Sequence, residues 1–261
     1  MPIRQIGNYG GAQMQFLEYG INHDKTILFL HGGGLAPWNY KEEAMLLKEK
    51  YHILLPILDG HNGSDCGFTT IEDAAQHIIG YIDEHLGGKV FLIGGLSLGG
   101  QILVEVLSQR KDICQYAMIE SSLILPMRAT AQLIKLTFSF CYPLIKKRWF
   151  AKMQFAALHI QPTFFDEYYR DSSAISKADM ISFLMANANY QMKHSLANCC
   201  TKALILVGSK EQDIMKKSAE IIHQTIRNSS LEVFPGFYHG DISINHPDLY
   251  VEKMYRLIEQ L

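Results

Sequence analysis

Val90-Phe91-Leu92-Ile93-Gly94-Gly95-Leu96-Ser97-Leu98-Gly99-Gly100 sets a short apolar run against a serine with two glycines on either side, and a helical pattern continues from Gly100 to Gln109. Four apolar residues bounded by turn formers read as a buried strand. A strand that turns directly into a helix forces the residue at the apex, Ser97, into a sharp, strained conformation that projects its hydroxyl at the carboxyl end of the sheet. Gly95 and Gly99 let strand and helix approach, and Gly94 and Gly100 extend that allowance.

Outward from this turn, Thr26–Leu30, Ile53–Asp59, Tyr116–Glu120 and Ala203–Val207 join Lys89–Ile93 as candidate buried parallel strands, with Leu231–Phe234 as the last. Helical periodicity separates most of them. It is clearest after Thr69: Thr69-x-x-Glu72 has the spacing of a capping box, Ile71, Ala75, Ile78, Ile82 and Leu86 form one stripe, and Gly87-Gly88 supplies the stop. A closing helix is expected over Pro247–Gln260. Strand and helix in alternation predict an α/β fold, a parallel sheet with right-handed crossovers and helices on both faces. Between about Leu123 and Asn198 the alternation stops, and ~75 residues of helical pattern stand where a βα connection ordinarily takes about 2–6. The expected organisation is a core of residues 1–122 and 199–261 with a helical cap, 123–198, inserted in it. Ten aromatic residues fall in the cap between Phe138 and Tyr169.

With 261 residues, 48% of them apolar and 19% charged, the chain has an ordinary globular composition and can remove roughly 73% of its extended surface from water without staples. Lys and Arg number 24 against 26 Asp and Glu, a formal charge of −2 with no long run of one sign. That lacks the basic footprint a phosphate backbone demands and argues against nucleic acid. Five cysteines, without a C-x-x-C pair and with Cys199 and Cys200 adjacent, suit reduced thiols. Met1–Asn8 carries no apolar h-region, and no stretch of ~18 apolar residues occurs. The expectation is a soluble, cytoplasmic protein without stable membrane insertion. Around Leu133–Trp149, however, Lys135, Lys146, Lys147 and Arg148 stand beside apolar residues, a composition compatible with a membrane-surface module.

A serine hydroxyl is a feeble nucleophile near neutral pH, so chemistry at Ser97 needs a base beside it and a third group to hold the base's tautomer. Of eleven histidines, His239 is best placed: it follows the final strand in Phe234-Pro235-Gly236-Phe237-Tyr238-His239-Gly240, at the carboxyl edge of the sheet. His246, in Asn245-His246-Pro247, reads as the signal that opens the closing helix. The acid should follow Ala203–Val207, where Gly208-Ser209-Lys210-Glu211-Gln212-Asp213 offers two carboxylates. Counting three residues past the glycine selects Glu211; Asp213 is the shorter side chain more usual in this role, and both stay open. Whichever is not used is an exposed loop acid, or caps a helix starting near Met215.

A developing oxyanion needs two amide donors. Leu98, just after the serine, offers one, and Gly33, in His31-Gly32-Gly33-Gly34 directly after Thr26–Leu30, offers the other. Phosphate cradling is the rival for such a loop, but the Lys-Ser/Thr of the Walker pattern is missing. His31 itself reads as structural. Asp59, His61 and Asp65 are donors within seven residues, yet they lack an established ligand spacing and sit where turn residues are ordinary. Neither metal nor cofactor is expected.

As a set, His31–Gly34, Gly95-Leu96-Ser97-Leu98-Gly99, Gly208–Asp213 and Tyr238-His239-Gly240, in chain order serine, acid, histidine, resemble the α/β-hydrolase superfamily over nearly the whole chain. The resemblance implies an eight-stranded, mostly parallel sheet with a helical cap, Ser97 as nucleophile, Glu211 or Asp213 as acid, His239 as base, and no cofactor. Two places depart from the family: Asp59-Gly60-His61-Asn62-Gly63-Ser64 is a shuffled form of its usual D-x-x-G-H-G-x-S loop, and the register of the acid, Glu211 or Asp213, is ambiguous. Dehalogenases and epoxide hydrolases are similar in fold but attack with a carboxylate, and Ser97 argues against both.

The reaction implied is that of a serine hydrolase working through an acyl-enzyme, with Gly33 and Leu98 at the oxyanion. Its rate should fall on the acid side, where His239 becomes protonated. The cap aromatics favour a small-molecule substrate with an apolar acyl or alkyl group, so a carboxylesterase or lysophospholipase-like activity leads. Carbon–carbon bond, thioester or peptide hydrolysis by the same triad are the alternatives. A non-catalytic ligand-binding member of the fold is the reading from another class.

Overall fold

Two strands that the search for apolar runs passes over open the chain in the computed structural model, which describes residues 4–9 and 12–259. β1 (Arg4–Tyr9) and β2 (Ala12–Tyr19) pair antiparallel. β3 (Thr26–Leu30), β4 (His52–Pro56), β5 (Val90–Leu96), β6 (Cys114–Glu120), β7 (Lys202–Gly208) and β8 (Ser229–Phe234) fall on the six expected runs. Together they make one eight-stranded sheet in the order β1-β2-β4-β3-β5-β6-β7-β8. β2 runs antiparallel to both neighbours, and every pairing from β4 to β8 is parallel. β3 and β5 are buried at every position, which is why they read as continuous apolar runs. The strand expected over Ile53–Asp59 stops earlier, at Pro56, which has no amide N–H to give the ladder.

Helices cover both faces. α1 (Lys41–Leu47), α2 (Ile71–His85) and α3 (Leu98–Gln109) alternate with the first parallel strands. Between β6 and β7 come α4 (Arg128–Ile145), α5 (Arg148–Ala157), α6 (Phe165–Ala174) and α7 (Lys177–Asn189). α8 (Asp213–Thr225), α9 (Asp241–Asn245) and α10 (Pro247–Glu259) follow; Gln260, expected as the last residue of the closing helix, lies outside the described residues. One core joins α2, α3 and α8 to the sheet through Ile78, Ile82, Leu103, Leu107 and Ile222, and the other joins α1 and α10 through Leu47, Tyr250 and Met254.

The α2 cap sits one residue later than the Thr69-x-x-Glu72 spacing predicts. Thr70, extended at φ −136°, accepts the Asp73 N–H at 3.0 Å, as an N-cap must to satisfy an open amide of the first turn. Thr69 instead donates to the Asp73 carboxylate (2.8 Å), and Glu72 takes the Lys193 ammonium (2.7 Å). Gly87 and Gly88, at φ +67° and +82°, end the helix as expected.

The helices between β6 and β7 are tied back to the loop after β4. Asp179 accepts the Phe68 N–H and Asp171 accepts the Asn62 amide, each at 2.8 Å, while Phe164 stacks on Trp38 with ring centroids 5.4 Å apart. All five cysteines are free. No helix among the described residues is long and apolar enough to cross a membrane.

Candidate active site

β5 ends at Leu96 and α3 begins at Leu98, so Ser97 alone makes the turn. Its backbone sits at φ +53°, ψ −110°, a conformation that costs an L-residue on the order of 1–3 kcal/mol and persists only where the surroundings hold it. The turn closes because nothing is there to collide: a Cβ on Gly99 would run into the Leu30 carbonyl of β3, and one on Gly95 into the Gly99 carbonyl of α3. Ser97 N–H donates to the Glu120 carbonyl and Ser97 C=O accepts from Gln101 N–H, both at 2.9 Å. The apex is therefore gripped from β6 and from α3.

His239 hangs on the loop between β8 and α9 and lines the same cavity as Ser97. Its Nδ1–H donates to Glu211 Oε2 at 2.8 Å, which fixes the tautomer of the neutral ring and leaves the Nε2 lone pair to take a proton. Glu211 Oε1 accepts from the Ser121 hydroxyl and the Gly208 N–H, each at 2.8 Å, and the side chain is fully buried. Burial by itself pushes this carboxyl up, but the imidazole, the Gly208 amide and the Ser121 hydroxyl outweigh it and hold the acid below its ordinary range. A tight turn, Glu211 N–H to Gly208 O at 3.1 Å, brings position 211 back beneath the loop. Ser121 Oγ also accepts Gly240 N–H (3.3 Å), tying the residue after His239 to the end of β6.

Asp213, the other candidate acid, is not brought to the imidazole. α8 starts at Asp213 itself rather than near Met215, and the carboxylate is fully exposed and paired with Lys216 at 2.8 Å. It caps nothing, because the N-cap position belongs to Gln212. His246 sits between α9 and Pro247, stacked on Phe237 with centroids 4.6 Å apart.

Gly33 and Leu98 face the cavity together, close enough that a Cβ on Gly33 would meet Leu98 Cβ at 3.4 Å. Leu98 heads α3, where an amide has no acceptor inside the helix. The amides beside Gly33 are taken: Gly32 N–H by Asn39 Oδ1 at 3.2 Å and Gly34 N–H by His61 Nε2 at 3.0 Å. His31 is structural, with Nδ1–H on the Gly32 carbonyl (2.9 Å) and Nε2 accepting Leu58 N–H (3.1 Å). Burial holds both rings below the usual histidine range, so they stay neutral and keep a lone pair for these amides. His61, which the sequence raises only as a metal donor to be set aside, is a clamp on the glycine loop. Asp59 binds His77 (2.7 Å) and Asp65 binds Gln15 (2.8 Å). Among the described residues no group of side chains is arranged to hold a metal ion.

Residues 27–236 match the model of the Alpha/beta hydrolase family. The chain belongs to that family. The Uncharacterized hydrolase YugF of Bacillus subtilis (strain 168) is 26% identical over 154 residues, 58% of this chain and 56% of that protein, so the match spans little more than half of its length. Among solved structures, an esterase from Exiguobacterium antarcticum is 16% identical over 99% of this chain and 98% of its own, with a TM-score of 0.80. The enol-lactonase from Burkholderia xenovorans LB400 is 13% identical over 97% and 99%, with a TM-score of 0.83. At such identities the likeness is one of fold.

Two cavities meet at Ser97 and His239. One, of about 230 Å³, is walled by Leu35, Leu158, Ile160, Phe183, Leu184 and Ile244; the other, of about 400 Å³, adds Met127, Met215, Tyr238 and Lys210. None of the ten aromatic residues between Phe138 and Tyr169 lines either. The aromatic wall of the first is Phe183 of α7, stacked on His61 with centroids 4.9 Å apart, and that of the second is Tyr238.

Beneath the loop of His239 lies a second buried acid, which the sequence presents only as the last residue of a strand. Glu120 is fully buried and accepts the Ser243 N–H at 3.3 Å. Burial, with the Glu211 charge adding to it, pushes its carboxyl up to about 7 against the Ser243 contacts and the nearby His239. Because the folded state favours the proton, the stability from this group is fully present below its unfolded value of 4.5 and is lost as pH rises through 7. At ~1.36 kcal/mol per pKa step the loss is about 3 kcal/mol. Glu120→Gln removes the titration. Urea unfolding near pH 4 and near pH 8 should show the variant gaining about 3 kcal/mol on the parent between the two; an unchanged difference would mean that Glu120 does not titrate in this way.

Proposed function

We propose that the chain hydrolyses carboxylic esters through Ser97, His239 and Glu211 and an acyl-enzyme intermediate. The carrying observation is the 2.8 Å bond from His239 Nδ1 to a fully buried Glu211, on an imidazole that shares its cavity with a serine held at φ +53°. Ser97 Oγ attacks the carbonyl carbon while its proton passes to His239 Nε2. The oxyanion forms against the Leu98 and Gly33 amides, donors of a kind worth about 3–4 kcal/mol when removed. The imidazolium then gives its proton to the departing alkoxide, and a water activated by the same nitrogen releases the acid. The aliphatic cavity suits an apolar acyl group, and the cavity with Lys210 and the two methionines suits the alcohol part. Two fold neighbours, named as an esterase and an enol-lactonase, are in keeping with an ester carbonyl.

A fluorophosphonate probe tests the reading directly, because only an activated serine reacts quickly with it. The expected result is a single adduct within minutes, mapped by mass to the peptide containing Ser97. An intact protein that remains unmodified would leave a ligand-binding member of the fold as the better account.

A further inference from the structure

The helices between β6 and β7 carry an apolar stripe that the fold does not cover. On α4, Leu133, Leu136, Phe140 and Leu144 recur at three- and four-residue spacing along one face and are 61%, 60%, 75% and 37% exposed. On α5, Trp149 and Met153, one turn apart, are 62% and 57% exposed. Large apolar side chains scattered singly on a surface need no explanation, but six on two consecutive helices do. The same thirty residues, 128–157, hold six cations, Arg128, Lys135, Lys146, Lys147, Arg148 and Lys152, and no Asp or Glu, in a chain whose formal charge is −2; of the six, Arg148 is paired with Asp166 of α6. A second copy meeting this face across a two-fold axis would set like charge against like. The complement is a negatively charged surface with an apolar interior.

We infer that the α4–α5 face adsorbs to an anionic lipid bilayer, with the stripe in the boundary between headgroups and acyl chains and the Lys and Arg side chains on the phosphates. This is docking, not spanning, since no described helix could cross. Met127, immediately before α4, and Leu158, immediately after α5, both line the cavity with Lys210 that reaches Ser97. Docking therefore brings the two ends of the hairpin, and the cavity between them, toward the lipid.

Flotation of the full chain with phosphatidylglycerol-containing and pure phosphatidylcholine vesicles tests this. At low salt the protein should float with the anionic vesicles only, and about 0.5 M salt should release it. Trp149 is the exposed member of the two tryptophans, Trp38 being buried, so emission should move to the blue on binding. Lys146→Gln with Lys147→Gln should weaken binding on the order of thirtyfold, and Phe140→Ser with Trp149→Ser should abolish it while leaving hydrolysis of a water-soluble ester unchanged. Ser97→Ala should float like the parent, so failure of the hydrolase reading and failure of this one are separable. The inference is overturned if the parent stays in solution with anionic vesicles, if both surface variants bind as well as it does, or if sedimentation reveals a dimer that Phe140→Ser with Trp149→Ser dissociates.

Discussion

Ser97→Ala should lower kcat for a p-nitrophenyl ester by about 10⁴- to 10⁶-fold, the range set by loss of a serine that acts as one unit with its base. On the proposed mechanism, binding and the two amides at Gly33 and Leu98 should remain to stabilise charge when water attacks directly. Alanine keeps the Cβ that already tolerates φ +53° at the apex, and the backbone bonds from Ser97 to Glu120 and Gln101 do not involve the hydroxyl. The thermal midpoint should therefore stay within a few degrees of the parent, separating lost chemistry from lost structure. Turnover within tenfold of the parent, after correction for background, would move the nucleophile elsewhere.

Glu211→Gln and Asp213→Asn form the second test, and the two should differ by about four orders of magnitude. An amide at position 211 can present its NH₂ to His239 Nδ1, which favours the wrong tautomer and leaves no partner for an imidazolium; the comparable change in a serine protease lowers kcat about 10⁴-fold. The Gly208 and Ser121 bonds to Oε1 can persist with the amide oxygen, so the loss should appear in kcat while the protein remains folded. Asp213, fully exposed and paired only with Lys216, should cost less than twofold when neutralised. The reverse order of effects, measured with the same soluble ester, would hand the role to Asp213 through a loop rearrangement.

The buried half of this fold is plain in the residues and the edge is not. Ile27–Leu30 of β3 and Val90–Ile93 of β5 are apolar without interruption because helices lie on both sides of them, whereas Ala12-Gln13-Met14-Gln15-Phe16 alternates, the pattern of an antiparallel strand covered on one face. β5 runs three residues past its apolar stretch because Gly94 and Gly95 still pair with β6. At the site, Ser97, His239, Gly33 and Leu98 come from loops whose order along the chain is enough to bring them to one cavity. The acid is different. Glu211 and Asp213 are both within a loop's reach of the histidine, and the choice falls to the Gly208–Glu211 turn and to the register at which α8 begins, neither of which composition encodes. The cavity wall was equally hidden: Phe183 reaches the site because α7 folds back over His61, a long-range event, while the aromatic cluster that draws the eye in the sequence packs its helices together and onto the core, as Phe164 does on Trp38, or faces outward.

Residues 120, 121 and 123, at the end of β6 and just after it, each hold another part of the site, and Ser122 packs against Gly100. The Glu120 carbonyl takes Ser97 N–H; Ser121 binds both Glu211 and the amide after His239; a Cβ on Gly100 would collide with the Ser122 hydroxyl; and the Leu123 carbonyl accepts from the Gln101 side chain at 2.6 Å. The four helices between β6 and β7 follow, from Arg128 on. A single tetrapeptide thus both holds Ser97, Glu211 and the His239 loop in register and starts the segment that carries α4 to α7. An insertion or deletion of one residue within the tetrapeptide would move the partners of Ser97, Glu211 and the His239 loop together.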